Sequence, residues 1–273
     1  MNRWLFSVGI GLLLIGSGCA VADQKTSMSP VRPVQDQTPP AATTTTSAPQ
    51  PVAPELVETE PVLVSTDKPE QPAVQPNEVT TVKNYTVSFT SQAPFAVWDE
   101  LHGEACEEAS LIMAMAYFRD FVLTPHAAEQ EILNLINWET DNGYQVDLTG
   151  AETKAVAEQY YNLTAELMYE VSADRIKKEL DAGRLVILPL AGREIGNPYF
   201  QTPGPIYHML VVVGYDEDEF ITNDPGTKRG EGYRYKYAAL LNAVHDWDHG
   251  RAAGGMTDEE MAQGQRVMVA VSD

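Results

Sequence analysis

From Ser7 to Asn84 the chain has no aromatic side chain, between Cys19 and His102 it has no glycine, and 11 of its 18 prolines fall between Pro30 and Pro76. A stretch so poor in bulky apolar groups cannot offset the entropy of ordering its backbone. Residues 19–84, with Pro39-Pro40 and the Thr43 to Thr46 run, therefore read as an extended Pro-rich tether. In polyproline II geometry, at about 3.1 Å per residue, such a tether reaches at most on the order of 200 Å. Folding is left to residues 85–273, enough chain for one hydrophobic core. The net charge of −21 resides mostly there, because residues 85–273 carry 31 acidic against 13 basic side chains. An acidic domain without a Lys/Arg cluster repels phosphate backbones, which excludes nucleic acid as a partner.

Residues 1–18 hold Arg3, the apolar run Trp4 to Ile15 and the small residues Gly16, Ser17 and Gly18, followed by Cys19. That pattern is an export signal. Its apolar run is shorter than the about 20 residues of a membrane span. The cysteine after small residues resembles the lipobox of bacterial lipoproteins, which implies acylation at Cys19 and a lipid anchor on the membrane surface of the cell envelope. Where that family usually has Leu three residues before the cysteine, this chain has Gly16. A plain cleaved signal with Cys19 incidental, or an uncleaved anchor, are the alternatives.

In the remaining segment, Tyr85 to Phe89 alternates like a strand. Leu111, Ala114, Met115 and Phe118 recur at helical spacing within Glu104 to Phe121. Further helices are expected from Thr124-Pro125, from Thr149, and from Ser172 to Gly183, each with a capping residue at its start. Strands are expected at Thr164 to Val171, Arg184 to Leu190, Tyr207 to Gly214, Phe220 to Thr222, Tyr233 to Lys236 and Arg266 to Val271. Helices early and strands late describe an α+β domain, with N-terminal helices on an antiparallel sheet.

With Cys19 assigned to export, Cys106 is the other cysteine of the chain and has no partner for an intramolecular disulfide. A helix N-terminus favours thiolate, the nucleophilic form. Glu104, Glu107 and Glu108 act against it unless they point away or are paired. The imidazole best placed to serve such a thiol is His208, which opens the apolar strand in GPIYHMLVVVGYDED. The next strand runs into Asn223-Asp224-Pro225-Gly226, so Asp224 can return beside His208, with Asn223 as the competing third member. The bland readings are a buried small hydrophobe for Cys106, a core histidine for His208 and a turn residue for Asp224.

Gln92 with Ala93-Pro94 and Trp98, Gly103 to Ser110 around Cys106, Tyr207-His208 with Val211 to Asp216, and Asn223 to Gly226 together resemble a papain-like cysteine peptidase of the bacteriocin-processing type, cysteine peptidase family 39, in its stand-alone branch. The resemblance spans roughly Tyr85 to Val271. It implies a papain-like fold, with Cys106 as nucleophile, His208 as general base and acid, Asp224 as orienting carboxylate and Gln92 as oxyanion donor beside the Cys106 N–H. Many members have Cys-Gly-Pro where this chain has Cys106-Glu107-Glu108, and Gln92 stands further from the cysteine than is usual. The implied activity is hydrolysis of peptide or isopeptide bonds in a peptide or protein substrate through an acyl-enzyme, with no metal and no organic cofactor. The same parts would serve an acyl transferase or cell-wall amidase, and an inactive tethered binding module is the other alternative. Trp98 reads equally as helix packing or as cleft lining. His245 and His249 read as a solvated helix end, Asp216 to Glu219 as a hairpin tip, and Gly226 to Gly232 as a mobile rim beside the site.

Overall fold

The strands β3 (Leu185–Ala191) and β4 (Tyr207–Tyr215) are buried at every position. Strands that read as unbroken apolar runs are covered on both faces. The computed structural model describes residues 82–253 and 255–273. The expected export signal, Cys19 and the expected tether up to residue 81 lie outside the described residues. The described residues belong to one unit, Gln71–Asp273.

Five more strands complete the sheet: β1 (Lys83–Asn84), β2 (Thr164–Met168), β5 (Glu219–Asn223), β6 (Tyr233–Lys236) and β7 (Met268–Ser272). Their order is β2-β7-β3-β4-β5-β6, with β1 added against β4, and every pairing is antiparallel. Lys83 and Asn84 pair with Tyr215 and Gly214, so the folded domain starts two residues inside the expected tether. The expected strand Tyr85 to Phe89 does not form a ladder. Only the Tyr85 N–H reaches across, to the Val213 carbonyl, although burial still alternates through Val87.

One face of the sheet carries α2 (Cys106–Phe118) and α4 (Gly150–Gln159), whose Leu111, Met115 and Val156 share a core with Ile187, Met209, Val211 and Val269. The opposite face carries α5 (Ala173–Asp181) and α6 (Tyr237–Ala243), through Ile176, Leu180 and Leu240 against Val186, Leu188, Leu210 and Phe220. α6, which the sequence reading does not expect, follows β6 directly and has no side-chain cap at its start. Two expected starts show why they are legible: Thr149 closes a capping box with Glu152, and Ser172 accepts from the Arg175 N–H.

A short α1 (Glu100–Gly103) precedes α2, so the helix expected from Glu104 begins at Cys106. α2 is buried from Cys106 to Ala116, a central helix with no solvent face. Glu107 and Glu108 are therefore inside the protein. Glu108 faces Glu139 of α3 (Pro125–Asp141), and Glu108 Oε2 and Glu139 Oε1 have no hydrogen-bond partner. Burial, then the neighbouring carboxylate in the case of Glu139, raises both carboxyls, so the pair retains a proton at neutral pH.

A folded-state carboxyl raised above its unfolded value contributes stability below the unfolded pKa and loses it as pH rises toward the folded one. Glu139→Gln removes that loss while keeping a neutral polar group of the same size opposite Glu108. The variant is expected to exceed wild type by about 1–2 kcal/mol at pH 8 and to match it near pH 4, measured by urea unfolding at both pH values. Equal stability at pH 8 would refute the shared proton.

Candidate active site

A cleft of about 1140 Å³ opens where the start of α2 meets the start of β4, and it is lined by Gln92, Trp98, Cys106 and His208 among others. Trp98, for which packing and lining were equal readings, lines this cleft and is 45% exposed. The turn after β5 supplies Gly226 to Arg229 to the same wall.

β4 and β5 form the hairpin that returns Asp224 to His208. Val211 pairs with Asn223, and a bulge between Val212 and Gly214 shifts the register. His208 Nε2 lies 2.8 Å from Asp224 Oδ1, with the two side chains 1% and 0% exposed. Four donors surround the carboxylate: His208 and the Gly226 N–H at Oδ1, Tyr235 Oη at 2.6 Å and Asn197 Nδ2 at 2.9 Å at Oδ2. Burial alone would raise the Asp224 carboxyl, but His208, Tyr235 and Asn197 outweigh it and hold it below the usual carboxylate range. With Nε2 engaged, Nδ1 is the ring atom left to serve the cleft. Asn223, the competing third member, does not meet His208: its amide donates to the Val87 carbonyl and accepts from the Gly232 N–H.

Sequence reasoning misses Asn197 and Tyr235. Asn197 sits in an irregular turn, donating also to Tyr235 Oη at 2.7 Å, and Tyr235 is one of two aromatics in the alternating β6. Neither has a local signal pointing to residue 224, because the contact is made across the sheet.

Gln92 ties the two halves of the site together. Its backbone N–H donates to the Pro225 carbonyl, and its Nε2 donates to the carbonyls of His102 at 2.9 Å and Gly103 at 2.8 Å. Both amide hydrogens are thus engaged on the turn before Cys106. Gln92 Oε1 is buried without a partner.

Cys106 is the first residue of α2, so its N–H has no acceptor within the helix. Its thiol, 5% exposed as a residue, donates to Glu107 Oε2 at 3.0 Å and makes no hydrogen bond to His208. Burial pushes this thiol well up, and Glu107, Glu108 and Asp147 push it further. The helix-start advantage expected from the sequence is therefore outweighed in the resting state, because Glu107 and Glu108 neither point away nor meet a cation. Asp147 on the cleft wall is itself raised to about 6, by burial and then by Glu104.

The loop Gly226 to Gly232, expected as a mobile rim, is pinned instead. The Asp224 N–H donates to the Gly230 carbonyl, and the backbone at 226 lies against the His208 ring. A Cβ at Gly226 would stand 2.8 Å from His208 Cε1 and 2.8 Å from Phe200 Cε1, and one at Gly230 would stand 1.7 Å from the Asp224 carbonyl oxygen. Glycine is required at both positions by close approach.

The remaining candidates stay apart from this cleft chemistry. His249 pairs with Glu152 and His245 with the Gly264 carbonyl, so the two do not converge on a common point. Asp216, Asp218 and Glu219 do lie close together at the β4–β5 tip. They are engaged by Arg234 and Lys236, as a hairpin tip would be. Among the described residues no helix is long and apolar enough to cross a membrane.

The sequence profile of the Peptidase_C39 like family matches residues 85–251. No curated protein matches the chain. Among solved structures, a candidate C39-like peptidase from Bacillus anthracis is similar at 14% identity, with a TM-score of 0.46, over 71% of this chain and 98% of that one.

Gly226→Ala is expected to displace His208 or the 226 turn and to cost about 1–3 kcal/mol of stability, as overpacking in a full interior does. Thermal unfolding of the variant, with the His208 ring resonances followed by NMR, checks this. An unchanged melting temperature and unchanged ring shifts would show that the turn yields freely.

Proposed function

The chain belongs to the Peptidase_C39 like family, and from that premise we propose that it is a cysteine peptidase that hydrolyses peptide or isopeptide bonds through Cys106, His208 and Asp224. The observation that carries this reading is the buried His208–Asp224 pair, its carboxylate met by four donors, with His208 on the same cleft as the free thiol at the start of α2. A histidine that merely filled the core would not need a carboxylate held by four donors beside an open cleft.

In this mechanism the Cys106 S–H proton passes to His208 Nδ1, and the sulfur attacks the scissile carbonyl. The negative charge on the tetrahedral oxygen falls where the Cys106 N–H points. Gln92 Nε2 supplies the second donor once it releases the His102 or Gly103 carbonyl. The C–N bond breaks as the imidazolium gives its proton to the leaving amine, leaving an acyl group on sulfur. His208 then takes a proton from water as hydroxide adds to the thioester carbon; the C–S bond breaks, the carboxylic acid product leaves, and the imidazolium returns its proton to the sulfur to regenerate the thiol. Asp224 keeps the imidazole in the tautomer and orientation these transfers need. An acyl transferase or cell-wall amidase would use the same steps with another acceptor or amide.

The reading includes export and acylation at Cys19, supported by the apolar run that ends in Gly16-Ser17-Gly18-Cys19. The peptidase would then work on a tether from a membrane surface in the cell envelope.

A second reading, a peptide-binding module that has kept the fold without the activity, draws on the thiol hydrogen-bonded to Glu107 rather than to His208. The full chain is to be assayed on a mixed fluorogenic peptide library with mass-spectrometric readout. Hydrolysis is expected in wild type, none above background in Cys106→Ala, and a loss of about 10³-fold or more in His208→Ala and of about 10²–10⁴-fold in Asp224→Asn. Peptide retention without cleavage, equal in wild type and Cys106→Ala, would favour the binding module and overturn the enzyme.

A further inference from the structure

Glu107 is completely buried, and no Lys or Arg pairs with it among the described residues. Its two oxygens have separate tasks. Oε1 accepts the Leu148 N–H at 3.1 Å, and Oε2 accepts the Cys106 S–H at 3.0 Å. The Leu148 carbonyl in turn accepts from Tyr207 Oη at 2.7 Å, and Tyr207 is the neighbour of His208 on β4. One carboxyl thus joins the thiol, the segment that carries Asp147 on the cleft wall, and the strand that carries the imidazole.

A buried acceptor beside a nucleophile competes with the general base for the same proton. We propose that Glu107 is a positioning residue that holds the resting Cys106 as a neutral thiol, so that the S–H must leave Glu107 for His208 before attack. The inference rests on the reading of Cys106 as nucleophile and deepens it. In this state the sulfur keeps its proton and His208 its neutral ring. On activation the S–H bond breaks, the proton forms the imidazolium, and the sulfur carries the charge to the carbonyl. The groups facing the sulfur support a neutral rest state. Glu107 and Glu108 on α2 and Asp147 before α4 disfavour thiolate, the Tyr207 phenol is engaged with Leu148, His208 faces the same cleft as the base, and the cleft's Lys228 and Arg229 make no ion pair with Glu107.

The test is the rate of iodoacetamide alkylation of Cys106 against pH, on the full chain, with the labelled cysteine identified by mass spectrometry. In wild type the midpoint is expected above the ordinary thiol value of about 8.5, and His208→Ala is expected to leave it in place, because imidazole is not the resting partner. In Glu107→Gln the amide oxygen still accepts from Leu148, while the NH₂ turns a donor toward sulfur. Alkylation at pH 7 is expected to rise at least about tenfold, the equivalent of one pH unit in the midpoint. A wild-type midpoint well below 8.5 that is lost in His208→Ala would show a resting thiolate–imidazolium pair and overturn the proposal, even if Glu107→Gln did not fold. A folded Glu107→Gln protein with an unchanged profile would overturn it as well. Turnover separates this from the peptidase reading: a depressed midpoint with Cys106-dependent hydrolysis sinks only the role of Glu107, and a raised midpoint with no hydrolysis sinks only the enzyme.

Discussion

The carboxylate of Asp224 is the interaction on which the site depends. It is fully removed from water, a location that costs several kcal/mol unless the charge is met by donors. Four donors from four places in the chain meet it: the first residues of β4, the 197 turn, β6 and its own turn at Gly226. Because all must converge for the charge to be tolerated, satisfying Asp224 also sets the orientation of His208 and closes the 226–232 loop over it. The glycines at 226 and 230 are where backbone comes too close for a side chain, so the same convergence explains the composition of the loop.

A different economy governs the other half of the cleft. Around Cys106 the carboxyls of Glu107, Glu108, Glu139 and Asp147 are buried or partly buried and form no ion pair with Lys or Arg among the described residues, and burial raises all four above the usual carboxylate range. The acidic surplus of the domain is thus not confined to a solvated surface. It enters the first turn of α2 and lies behind the thiol. The cleft is polarised, with a carboxylate met by four donors at His208–Asp224 and buried acids without a cationic partner at the cysteine. In the proposed mechanism the Cys106 proton is drawn across that difference.

Much of the architecture is legible from local signals, since a cap, a proline at the first helical position or an alternating burial pattern acts within a few residues. Thr124-Pro125, Thr149 and Ser172 mark α3, α4 and α5 for that reason. β3 and β4 announce themselves as apolar runs. α6 does not, because it begins without a side-chain cap directly after a strand. Tyr85 to Phe89 alternates without joining a ladder, because alternation reports burial and not pairing. The loop at 226–232 reads as a mobile rim, whereas Gly226 and Gly230 serve close contact.

The order cysteine, histidine, carboxylate, and the turn that brings Asp224 back along β4, belong to the sequence alone, because a hairpin is a local event whose register follows from the two strands and their connection. Tertiary structure decided between Asp224 and Asn223, recruited Asn197 and Tyr235, engaged both hydrogens of Gln92, and turned Glu107 inward onto the thiol. Those outcomes depend on which groups from distant segments meet where water is absent. A sequence records the identity of a carboxyl, but the direction in which its proton affinity moves is set by burial and by the neighbours the fold supplies.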